Sequence, residues 1–207
     1  MSGRAAMDLD LLARWRAGDE AAGQDLFARH FDSLYGFFET KCEAEADELV
    51  QRTFLACLKA RDQFRGHSSF RTYLFTIARH ELHDVLRERE KAGARLDFHL
   101  SSIADLRSTA ASRLARSEQQ RRMIDALRQL PVEQQTLLEL HYWEDLDNQA
   151  LAEVFEVPEP TIRSRLFRAR QALREVMDVL GKPAEIALES IEQLDQWARD
   201  LGRQPSE

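Results

Sequence analysis

The stretch NQALAEVFEVPEPTIRSRLFRARQALREV, which runs from Asn148 to Val176, decides the fold. Its first part has the apolar spacing of a short helix and ends at residues 156–158, where a proline predicts a tight turn. A longer helix is expected from Glu159, because Pro160 suits a first helical turn in which its missing N–H is not needed. The stretch therefore predicts a helix-turn-helix.

The two faces of the longer helix differ in chemistry. One stripe is apolar and is expected to pack inward: Ile162, Leu166, Ala169, Leu173 and Val176. The other side carries arginine and small polar residues, which can hydrogen-bond to phosphates and to base edges. We expect DNA contacts from Thr161, Arg163, Ser164, Arg165, Phe167, Arg168 and Gln171. This is the build of a helix that enters a major groove, although a solvated arginine-rich helix is the alternative.

A basic helix stands out in this chain because the 207 residues carry a formal net charge of −7. The net charge argues against a simple nucleic-acid coat protein, but local charge governs a DNA contact, and a partner can bring an acidic chain to DNA. The two cysteines, Cys42 and Cys57, have no CxxC spacing, so neither a disulfide framework nor a zinc knuckle is supported. With no signal-peptide pattern and no long apolar segment, we expect a cytoplasmic protein without membrane insertion.

The rest of the chain predicts an all-α protein of two small helical domains. Residues 8–91 show helical apolar periodicity interrupted by FRGHSS, and residues 113–181 contain the helix-turn-helix. Residues 92–112 are rich in Ala and Ser and predict a flexible linker. Residues 182–207 form an acidic extension with the period of an amphipathic helix, for which both a structural and a regulatory role stay open.

Two segments resemble the extracytoplasmic-function (ECF) sigma factors, which are compact sigma subunits of bacterial RNA polymerase. LPVEQQTLLELHYWEDLDNQALAEVFEVPEPTIRSRLFRARQALREVM resembles their sigma-four domain. EADELVQRTFLACLKARDQFRGHSSFRTYLFTIARHELHDVLRERE is similar to their sigma-two domain. The two segments stand in the order and at the spacing of the family. The resemblance implies promoter DNA and core RNA polymerase as partners, through the clamp helices and the flap, and leaves an anti-sigma factor open.

The resemblance also implies residue roles in the first domain. An acidic and apolar surface would dock on the polymerase clamp helices, as such a surface can mate with a basic coiled coil: Glu45, Asp47, Glu48, Leu49, Gln51, Arg52 and Phe54. Interleaved aromatic and basic residues would capture the single-stranded −10 element: Arg65, Gly66, His67, Ser68, Ser69, Arg71, Tyr73, Arg79, His80, His83 and Arg87. Of the helical positions, Arg79, His80, His83 and Arg87 are expected to be exposed.

Two of the residues that depart from the pattern of the family bear directly on the proposed sites. His80 stands where the family often has Asn, so the preferred −10 base is expected to differ. Glu156 stands where a Gly is usual in the turn, and it would be strained by about 1 kcal/mol if the backbone there has a positive φ.

Two other classes of function were weighed. An enzyme is disfavoured because His80 and His83 lack the spacing of an HExxH zinc motif, and no catalytic triad or Gly-rich phosphate loop is present. We expect no catalysis, no cofactor and no metal. A stand-alone repressor or activator would share the helix-turn-helix but would not need the DELVQ surface, and co-purification with core polymerase distinguishes it.

Overall fold

The computed structural model describes residues 3–64, 66, 68–91 and 118–180, and its regular elements over those ranges are all helical. The first group of helices is α1 (Gly3–Arg16), α2 (Glu20–Cys42), α3 (Ala46–Lys59) and α4 (Phe70–Lys91), with short 3-10 helices at Glu43–Glu45 and Arg61–Gln63. The second group is α5 (Glu118–Arg128), α6 (Val132–Tyr142), α7 (Asn148–Val154) and α8 (Glu159–Leu180). The all-α prediction is confirmed. The predicted linker and C-terminal extension lie outside the described residues.

The first group begins earlier than the sequence pattern predicts, since α1 starts at Gly3 rather than near Asp8. Asp8 is buried and holds α1 against α2, because its carboxylate accepts from Arg29 at 3.0 Å and lies 2.9 Å from His30 Nε2. Burial acts to raise the pKa of Asp8, but these two partners hold it below its ordinary value. The carboxylate is therefore charged at neutral pH and acts as a polar clamp between the helices.

Close packing also fixes the crossing of α1 and α2. A Cβ atom at Gly23 would lie 2.6 Å from the ring of Trp15, so α2 needs a glycine where α1 crosses it. The Trp15 ring meets Phe27 edge to face, with 5.1 Å between centroids. Because Phe27 in turn stacks on Phe54 of α3 at 4.4 Å, one aromatic row ties the first three helices together.

The second group contains the predicted helix-turn-helix, formed by α7 and α8. Asp147 caps α7 by accepting from the N–H of Ala150 at 2.8 Å. The inward stripe of α8 is buried as predicted at its first four positions, Ile162 to Leu173. Its fifth position is corrected: Met177 is buried and Val176 is only partly so, because the helical period of 3.6 residues carries the stripe one position further.

The two groups pack directly on each other. Helix α4 lies against α7, and α2 lies against α5. At the centre of this contact, Lys41 of α2 forms a buried ion pair with Glu139 of α6, and Gln135 donates to the same carboxylate at 2.8 Å. None of the helices in the described ranges has both the length and the apolar character that a membrane crossing requires.

Candidate nucleic-acid interface

Helix α8 presents an exposed face with two available arginines. Arg163, Ser164, Phe167 and Arg168 are all exposed, and 58% of Phe167 is accessible to solvent. Arg163 meets Glu159 at 2.6 Å along the helix, while the Arg168 guanidinium lies 3.4 Å from Ser164. Because both contacts are local and exposed, they can be exchanged for a phosphate or a base edge at little cost.

Arg165, the third predicted DNA contact among the arginines of α8, faces the protein, and so does Arg170. Arg165 is only partly exposed, and its Nη1 lies 3.9 Å from the Glu133 carboxylate of α6. Arg170 donates to the Tyr142 hydroxyl at 3.0 Å and lies over the Tyr142 ring, so it connects α8 to α6. The arginines of this helix therefore divide into an outward pair and residues that face the protein. Thr161 and Gln171 are half-buried at the edge of the outward face.

The turn before α8 has the positive φ at which the sequence analysis expected Glu156 to be strained. Glu156 has φ = +54°, the left-handed region that disfavours side chains with a Cβ atom. The N–H of Val157 donates to Ala152 O at 3.0 Å and that of Glu156 to Glu153 O at 3.2 Å, which is the bond pattern of a Schellman helix end. The turn thus keeps the geometry for which glycine is preferred, with a carboxylate in its place.

The predicted −10 residues of α4 are largely covered by the second group of helices. Arg79 donates to both carboxylate oxygens of Glu133, at 3.0 and 3.1 Å, and its guanidinium lies 4.9 Å from the Phe155 ring centre. His83 Nε2 lies 2.7 Å from the same carboxylate. The side chains of Arg79 and His83 are only 11% and 13% exposed, so the prediction that they are exposed is wrong in this arrangement. The physical reason is that Glu133, in the second group of helices, pairs with the Arg79 guanidinium and contacts the His83 ring.

Two further residues of α4 face the second group. Arg71 pairs with Glu144, and both side chains are mostly buried. His80 lies 3.2 Å from Glu156 with both side chains at least half exposed, and Arg87 is exposed as expected. Within the described ranges, no group of three or more His, Cys, Asp and Glu side chains is arranged to hold a metal ion.

Part of the loop before α4 stabilises the protein and is not free to contact DNA. Ser69 accepts from the N–H of Thr72 at 3.0 Å, so it caps α4 and is not a free reader of DNA. Gly66 has φ = +71°, and Ser68 is half-buried. Tyr73 packs against Phe64 at 4.9 Å between ring centroids and keeps part of its surface accessible. The predicted readers Arg65 and His67 lie outside the described residues.

The pKa values of the two carboxylates at this contact are shifted in opposite directions. Burial acts to raise the pKa of Glu133, but the hydrogen bond from His83 and the positive charge of Arg79 hold it below its ordinary value. Burial raises the pKa of Glu144, and the Arg71 charge offsets this only in part. Glu133 is therefore the firmly charged partner of the α4 cations at neutral pH.

The predicted docking surface on α3 is exposed only in part. Asp47, Glu48 and Gln51 are exposed, and the two acids lie in the first turn of the helix, where its dipole favours negative charge. Leu49 is completely buried, which corrects its assignment to the surface: it lies on the inward stripe of α3.

Two charged members of the predicted surface are tied to α4. Glu45 pairs with Arg89 at 2.6 Å, and Arg52 pairs with Glu81 at 2.8 Å. Their charges are therefore partly neutralised within the domain.

The sequence analysis missed an apolar groove beside these acids. It is lined by Phe27, Phe31, Val50, Phe54, Leu55 and Leu58, with Asp47 and Gln51 at its edge. Phe31 is 42% exposed, and Leu55 and Leu58 are each 47% exposed. The sequence feature that could have predicted this groove is that α3 has more apolar positions than one buried stripe requires. An exposed apolar groove with an acidic edge is typical of a protein-docking site.

Comparison with known proteins gives two matches to family models and several similar sequences. The model described as Sigma-70 region 2 matches residues 13–92, and the model described as Sigma-70, region 4 matches residues 120–173. The ECF RNA polymerase sigma-E factor of Haemophilus influenzae is 27% identical over 187 residues, which cover 84% of this chain and 96% of the relative. The RNA polymerase sigma-H factor of Pseudomonas aeruginosa is 28% identical over 188 residues, covering 86% and 97%.

Solved structures with the same fold include two that were determined as complexes. CnrH, bound to the cytosolic domain of CnrY, superposes with a TM-score of 0.63 at 22% identity over 84% of this chain and 99% of that one. The sigma factor RpoE of Bartonella quintana, bound to the anti-sigma factor NepR, has a TM-score of 0.58 at 22% identity over 75% and 96%.

Proposed function

Because the chain belongs to the ECF sigma factors of the sigma-70 family, we propose that it binds core RNA polymerase and directs transcription initiation at promoters with −10 and −35 elements. The observation that carries this proposal is the presence of both family regions in one chain, in order and over most of its length. A stand-alone repressor accounts for the helix-turn-helix but not for the first region.

The proposed division of labour follows the domains. Residues 8–91 dock on polymerase and read the −10 element, and residues 113–181 read the −35 element. Residues 92–112 connect the two, and residues 182–207 are an extension. Promoter reading takes place where polymerase and DNA are, so we assign the protein to the cytoplasm.

We assign −35 recognition to the outward face of α8. Arg163 and Arg168 supply positive charge and bidentate donors, and exposed Phe167 supplies an apolar contact for a thymine methyl group or a sugar. The local salt bridge and hydrogen bonds of the two arginines are readily exchanged for DNA. Ser164 lies between them and adds a hydroxyl.

We assign −10 recognition to α4 and the loop before it. Arg71, Arg79 and Arg87 supply cations along one helix, His83 adds a polar ring on the same helix, and Tyr73 offers an aromatic surface beside the loop. The positions of His80 and the loop residues make them the proposed determinants of base preference. Reading DNA with this face requires that Arg79 and His83 leave Glu133.

We assign polymerase docking to the groove between α2 and α3 and the acids at its edge. A coiled coil with apolar and basic side chains, such as the clamp helices implied by the family, would bury Phe31, Leu55 and Leu58 and pair with Asp47 and Glu48. A protein that sealed this groove would compete with polymerase, which is how an anti-sigma factor would act on this chain.

The test combines polymerase capture with run-off transcription on a promoter library. Leu55→Asp places a charge in the groove and should weaken binding to core polymerase about tenfold or more, because a buried unpaired charge costs several kcal/mol. Val179→Asp is the matched control: it makes the same kind of change at an apolar residue that is 85% exposed on α8.

The outcome decides between the two classes of function. Loss of capture and transcription in Leu55→Asp alone supports the sigma factor and its docking site. Undiminished capture in that variant places the docking site elsewhere, and a wild-type chain that binds duplex DNA but never core polymerase is a stand-alone regulator.

A further inference from the structure

The segment that leads into the loop before α4 is tied to α1 by one arginine. Arg16, the last residue of α1, donates from Nε and Nη2 to the backbone oxygen of Arg61, at 3.1 and 2.5 Å. The same Nη2 donates to the backbone oxygen of Phe64 at 2.5 Å, and the guanidinium lies 6.0 Å from the centre of the Phe64 ring. Arg16 therefore holds both ends of the short segment 61–64 against α1.

A second arginine crosses the same contact in the opposite direction. The Arg61 guanidinium lies 5.3 Å from the centre of the Trp15 ring, and its Nη1 lies 3.5 Å from the backbone oxygen of Trp15. Trp15 is a core residue, whereas Arg16 is exposed. Arg61 thus fastens the 3-10 helix to the core of the first group of helices, and Arg16 extends the attachment to Phe64, where the loop begins.

Phe64 transmits this attachment to the aromatic surface proposed for the −10 element. Its ring is buried and lies 4.9 Å from that of Tyr73, measured between centroids. Arg16 is close enough for its charge to act on the Tyr73 hydroxyl: burial raises the pKa of that hydroxyl, and the Arg16 charge opposes the rise. A displacement of Phe64 would therefore disturb the packing of Tyr73.

The other end of the loop is fixed by a helix cap. The Ser69 hydroxyl accepts from the N–H of Thr72 at 3.0 Å, and the backbone oxygen of Ser69 accepts from the N–H of Tyr73 at 3.1 Å. Phe64 and Ser69 lie five positions apart in the sequence. A connection this short, held at both ends, has far less conformational freedom than one held at a single end.

We propose that Arg16 is a positioning residue for −10 recognition: by holding the backbone at Phe64, it sets the start of the loop and Tyr73 in the arrangement that accepts −10 DNA. This inference rests on the −10 role proposed above for α4 and its loop, and it gives α1 a part in promoter reading. Arg16 acts through Phe64 and does not itself contact DNA. The planar fork of its guanidinium is essential, because one side chain serves two carbonyl groups.

The first measurement needs no polymerase. A nitroxide label on Ser68→Cys reports the mobility of the loop through the width of its resonance lines. The native thiols stay unlabelled, because burial raises the pKa of Cys42 to about 11 and that of Cys57 to about 12. The second measurement is run-off transcription with core polymerase, using the chain with Ser68 retained.

Three variants separate positioning from charge. Arg16→Ala removes both carbonyl contacts. Arg16→Lys keeps the positive charge but supplies a single ammonium group in place of the fork. Arg14→Ala is the matched control: it removes the same charge from an exposed arginine of α1 whose side chain pairs with Asp19 and not with the loop. Circular dichroism checks that the helices persist in all three.

We expect a more mobile label in both Arg16 variants and an unchanged label in Arg14→Ala. With core polymerase, both Arg16 variants should lower transcription about tenfold, as for a loop that holds its binding arrangement for about a tenth of the time. They should also reduce the difference in transcription between the preferred −10 base and its substitutes. Capture of core polymerase and the −35 preference should stay as in the parent, which a general loss of structure would not allow.

Three results would overturn the proposal. Equal label mobility in Arg16→Ala and in the parent shows that Arg16 does not hold the loop. Full transcription in Arg16→Lys, with loss only in Arg16→Ala, shows that the charge itself contacts DNA. Loss of transcription with an unchanged −10 preference shows that the role is structural only. If the label responds as expected but the parent never initiates with core polymerase, the anchor stands and the failure falls on the sigma-factor function.

Discussion

At the scale of single residues, Glu156 shows how the sequence can predict backbone geometry. A glycine is usual at this position of the family's turn, which suggested a positive φ, and φ of Glu156 is +54°. The strain persists in a turn that two backbone bonds hold in place, and the side chain it allows reaches His80 of the other domain. A residue that is unfavourable within its own turn thus contributes to a contact between domains.

Replacing Glu156 by glycine should stabilise the protein. Glu156→Gly relieves the left-handed strain, so the free energy of unfolding should rise by about 1 kcal/mol. The contact with His80 is exposed, so its loss subtracts little. Urea unfolding followed by circular dichroism measures the change.

The matched control is Glu153→Gly in α7, where the backbone is helical. This change should lower stability by roughly 0.5–1 kcal/mol, because glycine is unfavourable within a helix. Loss of stability in both variants would show that the turn is not strained at Glu156.

The residue scale also shows where the sequence was insufficient. Arg79 and His83 were expected to be exposed because the resemblance to the family implies that they read −10 DNA. Their partner, Glu133, lies 54 residues from Arg79 in the sequence and belongs to the other domain. Helical periodicity reports which face of an element is apolar, but it does not report which polar face another domain covers.

At the scale of elements, α8 was predicted in detail. Its start at Glu159 and the first four positions of its inward stripe follow from the 3.6-residue period and from the position of proline. Val176 is only partly buried and Arg165 lies toward Glu133, so the fifth position of the stripe and one of the predicted outward arginines differ from the prediction. The groove on α3 was not predicted, because Leu55 and Leu58 look like core residues when only composition and spacing are considered. Exposure depends on neighbouring helices, which a local pattern does not contain.

Two arginines of α8 should separate DNA recognition from stability. Arg168→Ala should weaken −35-dependent initiation by about 1–3 kcal/mol and leave the unfolding free energy nearly unchanged, because the side chain is exposed and makes only local contacts. Run-off transcription on promoters with an intact or a substituted −35 element measures the effect.

Arg170→Ala is the complementary variant. It removes the hydrogen bond to the Tyr142 hydroxyl and the contact with His141, so stability should fall by about 1–2 kcal/mol. If Arg168→Ala transcribes like wild type with the same −35 preference, the outward face of α8 does not read this element.

At the scale of the whole molecule, the buried pair of Lys41 and Glu139 connects the two domains. Burial lowers the pKa of Lys41, and the neighbouring Glu139 charge opposes this. Thr40 and Gln135 also donate to the carboxylate, so it is well satisfied where the two groups of helices pack on each other. The pair is shielded from solvent, and salt should therefore screen it less than the exposed pair of Arg163 and Glu159.

Removing one partner of this pair should open the molecule, whereas removing both charges should not. Lys41→Met leaves the Glu139 carboxylate buried without its cation, a loss of about 3–5 kcal/mol that separation of the domains would relieve. Adding Glu139→Gln to this variant keeps an acceptor for Gln135 and removes the charge, so the two domains should pack together again. Energy transfer between dyes on cysteines introduced at the exposed positions Asp62 and Glu175 distinguishes the variants. Equal opening in the single and the double variant would show that packing, and not charge, is decisive at this position.

The buried pair makes the packing of the two domains depend on temperature. Withdrawing ions from water is less costly when the solution is warm, because the hydration of charged groups carries a strongly negative entropy. Contacts between apolar side chains likewise weaken on cooling. Both effects act in the same sense at the contact between the domains, so warming draws the two halves together and cold loosens them. The fraction of chains with separated domains should then be greatest at low temperature.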